Sequence, residues 1–211
     1  MKRIALLIAG LVAGLTAATA LAKPVQVNWT DLVGETAEIA DPFESLPSDQ
    51  MDALRKVLRL EWIGNEESAS QAVALRAELT AQGLDVDALF AARIEIMEQR
   101  IAAASAVNQG LIGREIRIPG YILPLEFDGL EVVEFLLVPT VGACIHTPPP
   151  PANQMIHVLH PEGVEVRGLY DPVWITGVME AEESLQDVRY SDGQASVEIS
   201  YKMRPTKVEP Y

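Results

Sequence analysis

The sequence is poor in the residues that carry most site chemistry. It contains one cysteine and three histidines in 211 residues, and thirty Asp and Glu outnumber sixteen Lys and Arg, for a formal charge of -14. A groove that follows a phosphate backbone depends on clustered Lys and Arg, so this balance argues against a nucleic-acid partner. Hydrophobic residues make up 49% of the chain, a share too large for an intrinsically disordered protein. The sequence therefore predicts a folded, acidic protein.

Residues 1–22 have the pattern of a cleaved signal peptide. A positive start, Lys2 and Arg3, is followed by an apolar run over residues 4–20, and an Ala-Leu-Ala triplet precedes the predicted cut before Lys23. The competing interpretation is a membrane anchor, for which the apolar run is marginal in length. We expect a periplasmic protein, exported through this peptide, with no stable membrane insertion after cleavage.

Residues 23–109 are predicted to form an arm of about three helices, because apolar residues recur there at steps of three and four. Each helix has a candidate capping residue near its start. These are Ser48, Ser68 with Gln71 three positions later, and Asp85 or Asp87. Trp29 and Trp62 are expected to pin the arm onto the second half of the chain.

Residues 110–211 change from a helical period to the period of two that is typical of strands with one buried face. Turn dipeptides at Asp128-Gly129, Glu162-Gly163 and Asp192-Gly193 separate about five or six short strands, with no helix between them. The pattern predicts a small antiparallel β-barrel of OB-like type, with a two-sheet sandwich as the alternative. The predicted fold class is α+β.

Cys144 is the one thiol of a chain that we expect in an oxidising compartment, so no internal disulfide can form. Because His146 is two positions away, both side chains project to the same side of an extended backbone. A thiolate and an imidazole on one face suit zinc or copper. The same pair could instead be an activated nucleophile, or Cys144 could be an ordinary buried residue. An enzyme has less support, since no third, orienting acid stands at a telling position.

His157 is predicted to be the third metal ligand, because it lies within the next strand, whereas His160 is predicted to face the opposite way. Met155 or Met179 could add a thioether, which would favour reduced copper over zinc. The predicted ligands are therefore Cys144, His146 and His157, and the predicted metal is zinc or copper.

The stretch Pro148 to Pro151 is predicted to form a stiff polyproline segment, because proline fixes its own backbone angle and cannot donate a ladder hydrogen bond. Asn153 and Gln154 follow directly. We expect their amides to satisfy free backbone groups of the loop.

Several segments resemble one family of exported bacterial proteins. They are Trp29 to Leu32, Asp41 to Phe43, Gly120 to Leu125, Phe135 to Pro139, Gly142 to Gln154, and Asp171 to Trp174. Over most of the mature chain, these segments resemble the family catalogued as domain of unknown function 3299. The resemblance implies work with an ABC-type transport system of the lipoprotein or metal type. It implies no particular reaction, and the absence of a cysteine near the predicted cut argues against a lipid anchor.

Two functions are compatible with these observations. The first is a periplasmic accessory protein that binds a soft metal ion and passes it to, or senses it for, a transport system. The second is a non-catalytic envelope adaptor, in which the Cys-His-Pro loop is structural and the folded surface docks an envelope partner.

Overall fold

The structure is a computed structural model that describes residues 23–141, 149–165, 172–190 and 193–211. Within these ranges the helices are α1 (Ser48–Ile63), α2 (Glu66–Ala81) and α3 (Val86–Ser105), with short 3-10 helices at Trp29–Leu32, Pro42–Ser45 and Ala152–Gln154. The strands are β1 (Val25–Gln26), β2 (Glu115–Asp128), β3 (Glu131–Val138), β4 (Ile156–Glu165), β5 (Pro172–Tyr190) and β6 (Gly193–Pro210). The protein is α+β, with three helices as predicted. None of the helices in the described ranges is both long and apolar enough to cross a membrane.

The helix starts agree only in part with the predicted caps. α1 begins at Ser48, and Asp85 caps α3 through its side chain. The predicted capping box at Ser68 is wrong, because Asn65 caps α2 by accepting the backbone N–H of Ser68 at 2.7 Å. Asn65 offers the same kind of oxygen acceptor three residues earlier, so α2 starts earlier than expected.

Only one of the two tryptophans pins the helical arm. Trp29 packs half-buried against the sheet core, and its indole N–H donates to the carbonyl of Pro119 on β2 at 2.7 Å. Trp62 is 86% exposed, so the prediction is wrong for this residue. Its position along α1 lies away from the helix face that buries Leu54 and Val57.

The strands form a mixed sheet with the neighbour order β1-β2-β3-β4-β6-β5, and β2 also pairs with β5. The pairs β1–β2 and β4–β6 are parallel, and the other pairs are antiparallel. The predicted wholly antiparallel arrangement is therefore wrong. The cause is that the hairpin of β5 and β6 places its second strand beside β4, and this strand runs in the direction of β4.

β5 and β6 are much longer than the short strands that the pattern predicts, at 19 and 18 residues. A register shift between Ala181 and Ser184 divides their hairpin. The near half pairs with β2 and β4, whereas the far half, residues 184–190 with 193–199, forms a two-stranded ribbon. We call this far half the ribbon.

The apolar core of the described residues falls into three clusters. The main one lies on one face of the sheet and includes Ile116, Ile118, Phe135, Leu137, Ile156, Ile175, Met179 and Tyr201. The second lies between β3 and the ribbon and includes Leu136, Val138, Met155, Val188, Val197 and Ile199. The third lies among the helices, at Leu54, Val57, Leu79 and Val86. β3 therefore contributes alternate residues to two cores.

The helical segment leaves and rejoins the sheet at a neck, formed by residues 32–34 and 106–108. Val33 and Val107 form an isolated β-bridge, and the N–H of Gly34 donates to the carbonyl of Ala106 at 3.0 Å. A Cβ atom at Gly34 would lie 2.6 Å from the carbonyl oxygen of Val107. Only glycine permits so close an approach of the two backbone segments.

Tyr201 of β6 joins this neck to the sheet. Its hydroxyl donates to the carbonyl of Leu32 at 2.5 Å and accepts the N–H of Asn108 at 2.6 Å. The residue is fully buried. Burial raises the pKa of the Tyr201 phenol above its ordinary value of 10.0, while the bond from Asn108 acts in the opposite direction.

We expect Tyr201→Phe to lower the free energy of unfolding by about 1–3 kcal/mol, because a hydroxyl that bridges two buried backbone groups is lost. Denaturant unfolding at neutral pH measures the change. Tyr211→Phe is the matched control, since Tyr211 is 71% exposed, and it should have little effect.

The difference between wild type and Tyr201→Phe should shrink as the pH rises above 10.0, the ordinary phenol pKa. The unfolded chain then loses the phenolic proton, whereas burial keeps it on the folded protein, so the wild type alone loses stability. A difference that stays constant up to about pH 11 would contradict the buried, protonated phenol.

Candidate functional site

Two of the three predicted metal ligands, Cys144 and His146, lie in residues 142–148, outside the described part of the chain. Their convergence on one point stays a prediction. The structure describes the chain on either side of this range, namely the end of β3 before it and the segment from Pro149 to β4 after it.

Asn153 and Gln154 fasten the segment that precedes β4. Asn153 is 2% exposed, and its Nδ2 donates to the carbonyls of Ala103 and Ala106 at 2.8 and 2.9 Å. Carbonyls near the end of α3 have no partner within the helix, so this amide satisfies them. Nε2 of Gln154 donates to the carbonyl of Trp29 at 2.9 Å. Both amides bond backbone groups as expected, but chiefly those of the helical half rather than those of the loop.

His157, the third predicted ligand, is a buried member of a polar cluster. It is 6% exposed and lies on β4 opposite Leu136 of β3. Its Nε2 is 2.6 Å from Oε1 of Glu134, and its Nδ1 is 3.4 Å from Nε2 of Gln186. Glu134 belongs to β3 and Gln186 to the ribbon. We call these three side chains the His157 cluster.

The bonding partners assign the proton on the His157 ring. A carboxylate only accepts hydrogen bonds and an amide nitrogen only donates them. Nε2 therefore carries a proton and donates it to Glu134, and Nδ1 accepts from Gln186 where the amide presents its nitrogen. The bond to Glu134 is short and charge-assisted, so it sets the ring orientation, and the contact to Gln186 is long.

The His157 cluster lies near the end of the sheet that adjoins residues 142–148. His157 is the second residue of β4, and the pairing of Ile156 with Leu137 brings the end of β3 alongside. The two candidate thioethers are both buried, Met155 beneath the ribbon and Met179 in the main core. Within the described ranges, no group of three or more His, Cys, Asp or Glu is placed to hold a metal ion.

Sequence reasoning missed Glu134 and Gln186. Glu134 could have been found, because it is a lone carboxylate within the apolar stretch from Val132 to Val138, and a charge in such a strand needs a partner. Gln186 carries no comparable signal. It meets His157 only because the hairpin of β5 and β6 extends beyond the main sheet.

A positive charge next to the His157 cluster is already paired. Lys202 of β6 is in register with His157, and its ammonium group lies 2.7 Å from both carboxylate oxygens of Glu182. Lys202 and Glu182 therefore neutralise each other, and Glu134 is the acidic partner of the histidine.

The fold and this cluster define a class, an α+β protein whose mixed sheet carries a buried His–Glu pair under a β-ribbon. The profile of the family described as "Protein of unknown function (DUF3299)" matches residues 29–210, so the chain belongs to this family. This result confirms the resemblance found in the sequence.

Two solved structures are similar to the chain. A DUF3299 family protein from Pseudomonas aeruginosa PAO1 has a TM-score of 0.50 and 28% identity, over 90% of this chain and 97% of that chain. The OBody AM3L09, bound to hen egg-white lysozyme, has a TM-score of 0.28 and 16% identity, over 48% of this chain and 84% of that chain. The second likeness is too slight to carry an argument. The comparison with curated proteins gave no match.

We expect Glu134→Ala and His157→Ala each to lower the free energy of unfolding by about 1–3 kcal/mol, because each leaves a polar partner unpaired. The double variant should lose less than the sum, with a coupling energy of about 0.5–3 kcal/mol. Denaturant unfolding of the four proteins measures this cycle. Glu162→Ala, at an exposed position of β4, is the control, and strict additivity of the two losses would contradict a direct bond.

Proposed function

We propose that the sheet of this chain closes into an OB-like barrel. β2 pairs with both β3 and β5, so a path from β2 through β3, β4, β6 and β5 returns to β2. The parallel pair of β4 and β6 joins the third and fifth of these five strands in chain order. An OB-fold is a five-stranded, partly open barrel, and this pairing pattern supports that assignment.

We propose that the protein is an exported accessory protein of the periplasm that binds a soft metal ion, zinc or copper. Cys144, His146 and His157 are the proposed ligands. We further propose that it works with an ABC-type transport system, to which it passes the ion or for which it senses it. The signal-peptide pattern supports the location, and the family resemblance noted in the sequence supports the partner.

The observation that carries the metal proposal is the short bond between His157 and Glu134. Histidines that ligate metals usually donate their other ring N–H to a carboxylate, which fixes the tautomer and aims the free nitrogen. Here Glu134 takes the proton of Nε2 at 2.6 Å, and the lone pair of Nδ1 meets only the long 3.4 Å contact to Gln186. Nδ1 is therefore the atom that would bind the ion.

The proposed donor set fits a soft ion in its chemistry. One thiolate and two imidazoles are ligands that zinc accepts, with a fourth position left open, and reduced copper accepts the same atoms. A bound ion would hold Cys144 as the thiolate, and Glu134 would fix the orientation of His157 without touching the metal.

We expect the mature protein, residues 23–211, to bind about one equivalent of zinc or reduced copper in a chelator competition titration under reducing conditions. Cys144→Ser should abolish this binding, because the thiolate is the softest ligand. Glu134→Gln should weaken it by about 10–100-fold through the orientation of His157.

His160→Ala is the matched control for His157→Ala, because His160 lies on the same strand and makes no hydrogen bond to any described side chain. It should leave the affinity unchanged, whereas His157→Ala should weaken binding. Stoichiometric binding that survives Cys144→Ser would remove the metal proposal.

The alternative function is a non-catalytic envelope adaptor with a structural loop. The observation in its favour is that both nitrogens of His157 have partners in the described part of the protein, so the cluster is complete as a structural element. In this case the polar cluster ties the ribbon to β3 and β4, and Cys144 is an ordinary packed residue.

The adaptor function predicts an inert thiol. Cys144 in the folded, metal-free protein should react with iodoacetamide far more slowly than in the denatured chain, because a packed thiol is neither ionised nor accessible. Mass spectrometry of timed samples measures the rate. Rapid labelling of the folded protein at neutral pH would contradict the adaptor function. It would favour an accessible Cys144 that is available as a metal ligand.

A further inference from the structure

The junction of α1 and α2 carries an exposed apolar group beside acidic residues. Trp62 is 86% exposed and Ile63 is 50% exposed, and the exposed Glu66 and Glu67 open α2 directly after them. Burying a tryptophan side chain removes about 150–250 Å² of surface from water, so Trp62 offers a large apolar contact to any partner that covers it. We call Trp62, Ile63, Glu66 and Glu67 the acidic knob.

A groove of about 400 Å³ lies between α3 and the segment around the Pro42–Ser45 helix. Its apolar lining consists of Phe43, Ile96, Met97, Ile101 and Ala104. Met97 is 48% exposed and Ile101 is 61% exposed, although both are large apolar side chains on a helix. α3 therefore leaves an apolar strip uncovered in the described structure.

The rim of this groove carries two arginines, Arg93 and Arg100, and one aspartate, Asp41, so it has an excess of one positive charge in a chain whose formal charge is -14. Arg100 pairs with Asp41 at 2.7 Å, whereas Arg93 makes no ion pair with any residue that the structure describes. We call the groove, with these two arginines, the basic groove.

We infer that the basic groove receives the acidic knob of a second copy of this chain. The knob offers an aromatic ring and two carboxylates, and the groove offers an apolar floor and the guanidinium group of Arg93, which no described carboxylate neutralises. Met97 and Ile101 of the groove and Trp62 of the knob are all exposed, so neither surface is covered within the described residues. Tryptophan and arginine are the residue types that contribute most often to interface energy.

Each copy carries both surfaces, so two copies can exchange knobs, whereas one-way insertion would give an open chain of copies. Reciprocal insertion of the two knobs gives a closed two-fold dimer, the commonest symmetry of homo-oligomers. Two acidic chains repel each other at long range, and the pairing of Arg93 with Glu66 or Glu67 supplies the local attraction that permits association.

Sedimentation velocity of the mature protein across micromolar concentrations tests the dimer. We expect a monomer–dimer equilibrium for the wild type, and at least a tenfold rise in the dimer dissociation constant for Trp62→Ala. Leu130→Ala is the matched control, because Leu130 is 90% exposed at the turn between β2 and β3, and it should dimerise like the wild type.

A charge exchange tests the orientation. Arg93→Glu should weaken the dimer, and so should Glu66→Arg with Glu67→Arg, whereas the variant that carries all three changes should regain most of the affinity. Circular dichroism checks that each variant keeps its helices, since the acidic pair also favours the start of α2.

A wild-type protein that stays monomeric would overturn the proposal. A dimer indifferent to Trp62→Ala, or a triple variant with no recovery, would overturn it as well.

Discussion

The two hydrogen bonds of the Tyr201 hydroxyl hold together parts of this protein that lie far apart along the chain. The backbone leaves the sheet at Leu32, forms three helices and returns at Asn108, and the one hydroxyl bonds both points. Since Tyr201 belongs to β6, which pairs with β4 and β5, the neck is positioned directly against the sheet. Asn153 adds a second tie, from the end of α3 to the segment that leads into β4. The orientation of the helices and the frame of the candidate site therefore depend on the same few polar contacts.

Local sequence signals predicted the elements whose formation is itself local. The three helices follow from apolar spacing. The error at α2 concerns only the capping residue, because the side chain of Asn65, and not that of Ser68, accepts the free backbone N–H at the helix start. The parallel pair of β4 and β6 could not be predicted in this way, because it depends on which strand of a hairpin packs beside β4. The length of β5 was hidden for a related reason, since its far half is mostly polar and is stabilised by its partner strand and by β3.

The same contrast between local signals and tertiary contacts applies to the candidate site. His157 could be picked out because it is one of only three histidines in the chain and lies within a strand, and it is buried. Its partner Glu134 is close in the sheet but distant in sequence, and Gln186 is brought in from the ribbon. A single sequence identifies the reactive side chain more readily than the groups that orient it, because orientation arises from tertiary contacts.

The division of the β5–β6 hairpin has a consequence for how the protein opens. The ribbon has no strand neighbours in the described structure beyond its own hairpin and is attached mainly through the second apolar cluster, whereas the near half is paired within the main sheet. We expect such a ribbon to detach locally while the main core stays intact. Its transient release would expose to solvent the face of β3 that it covers and would free Nδ1 of His157. The rate of backbone amide hydrogen exchange in β3 would then report on solvent access to the histidine.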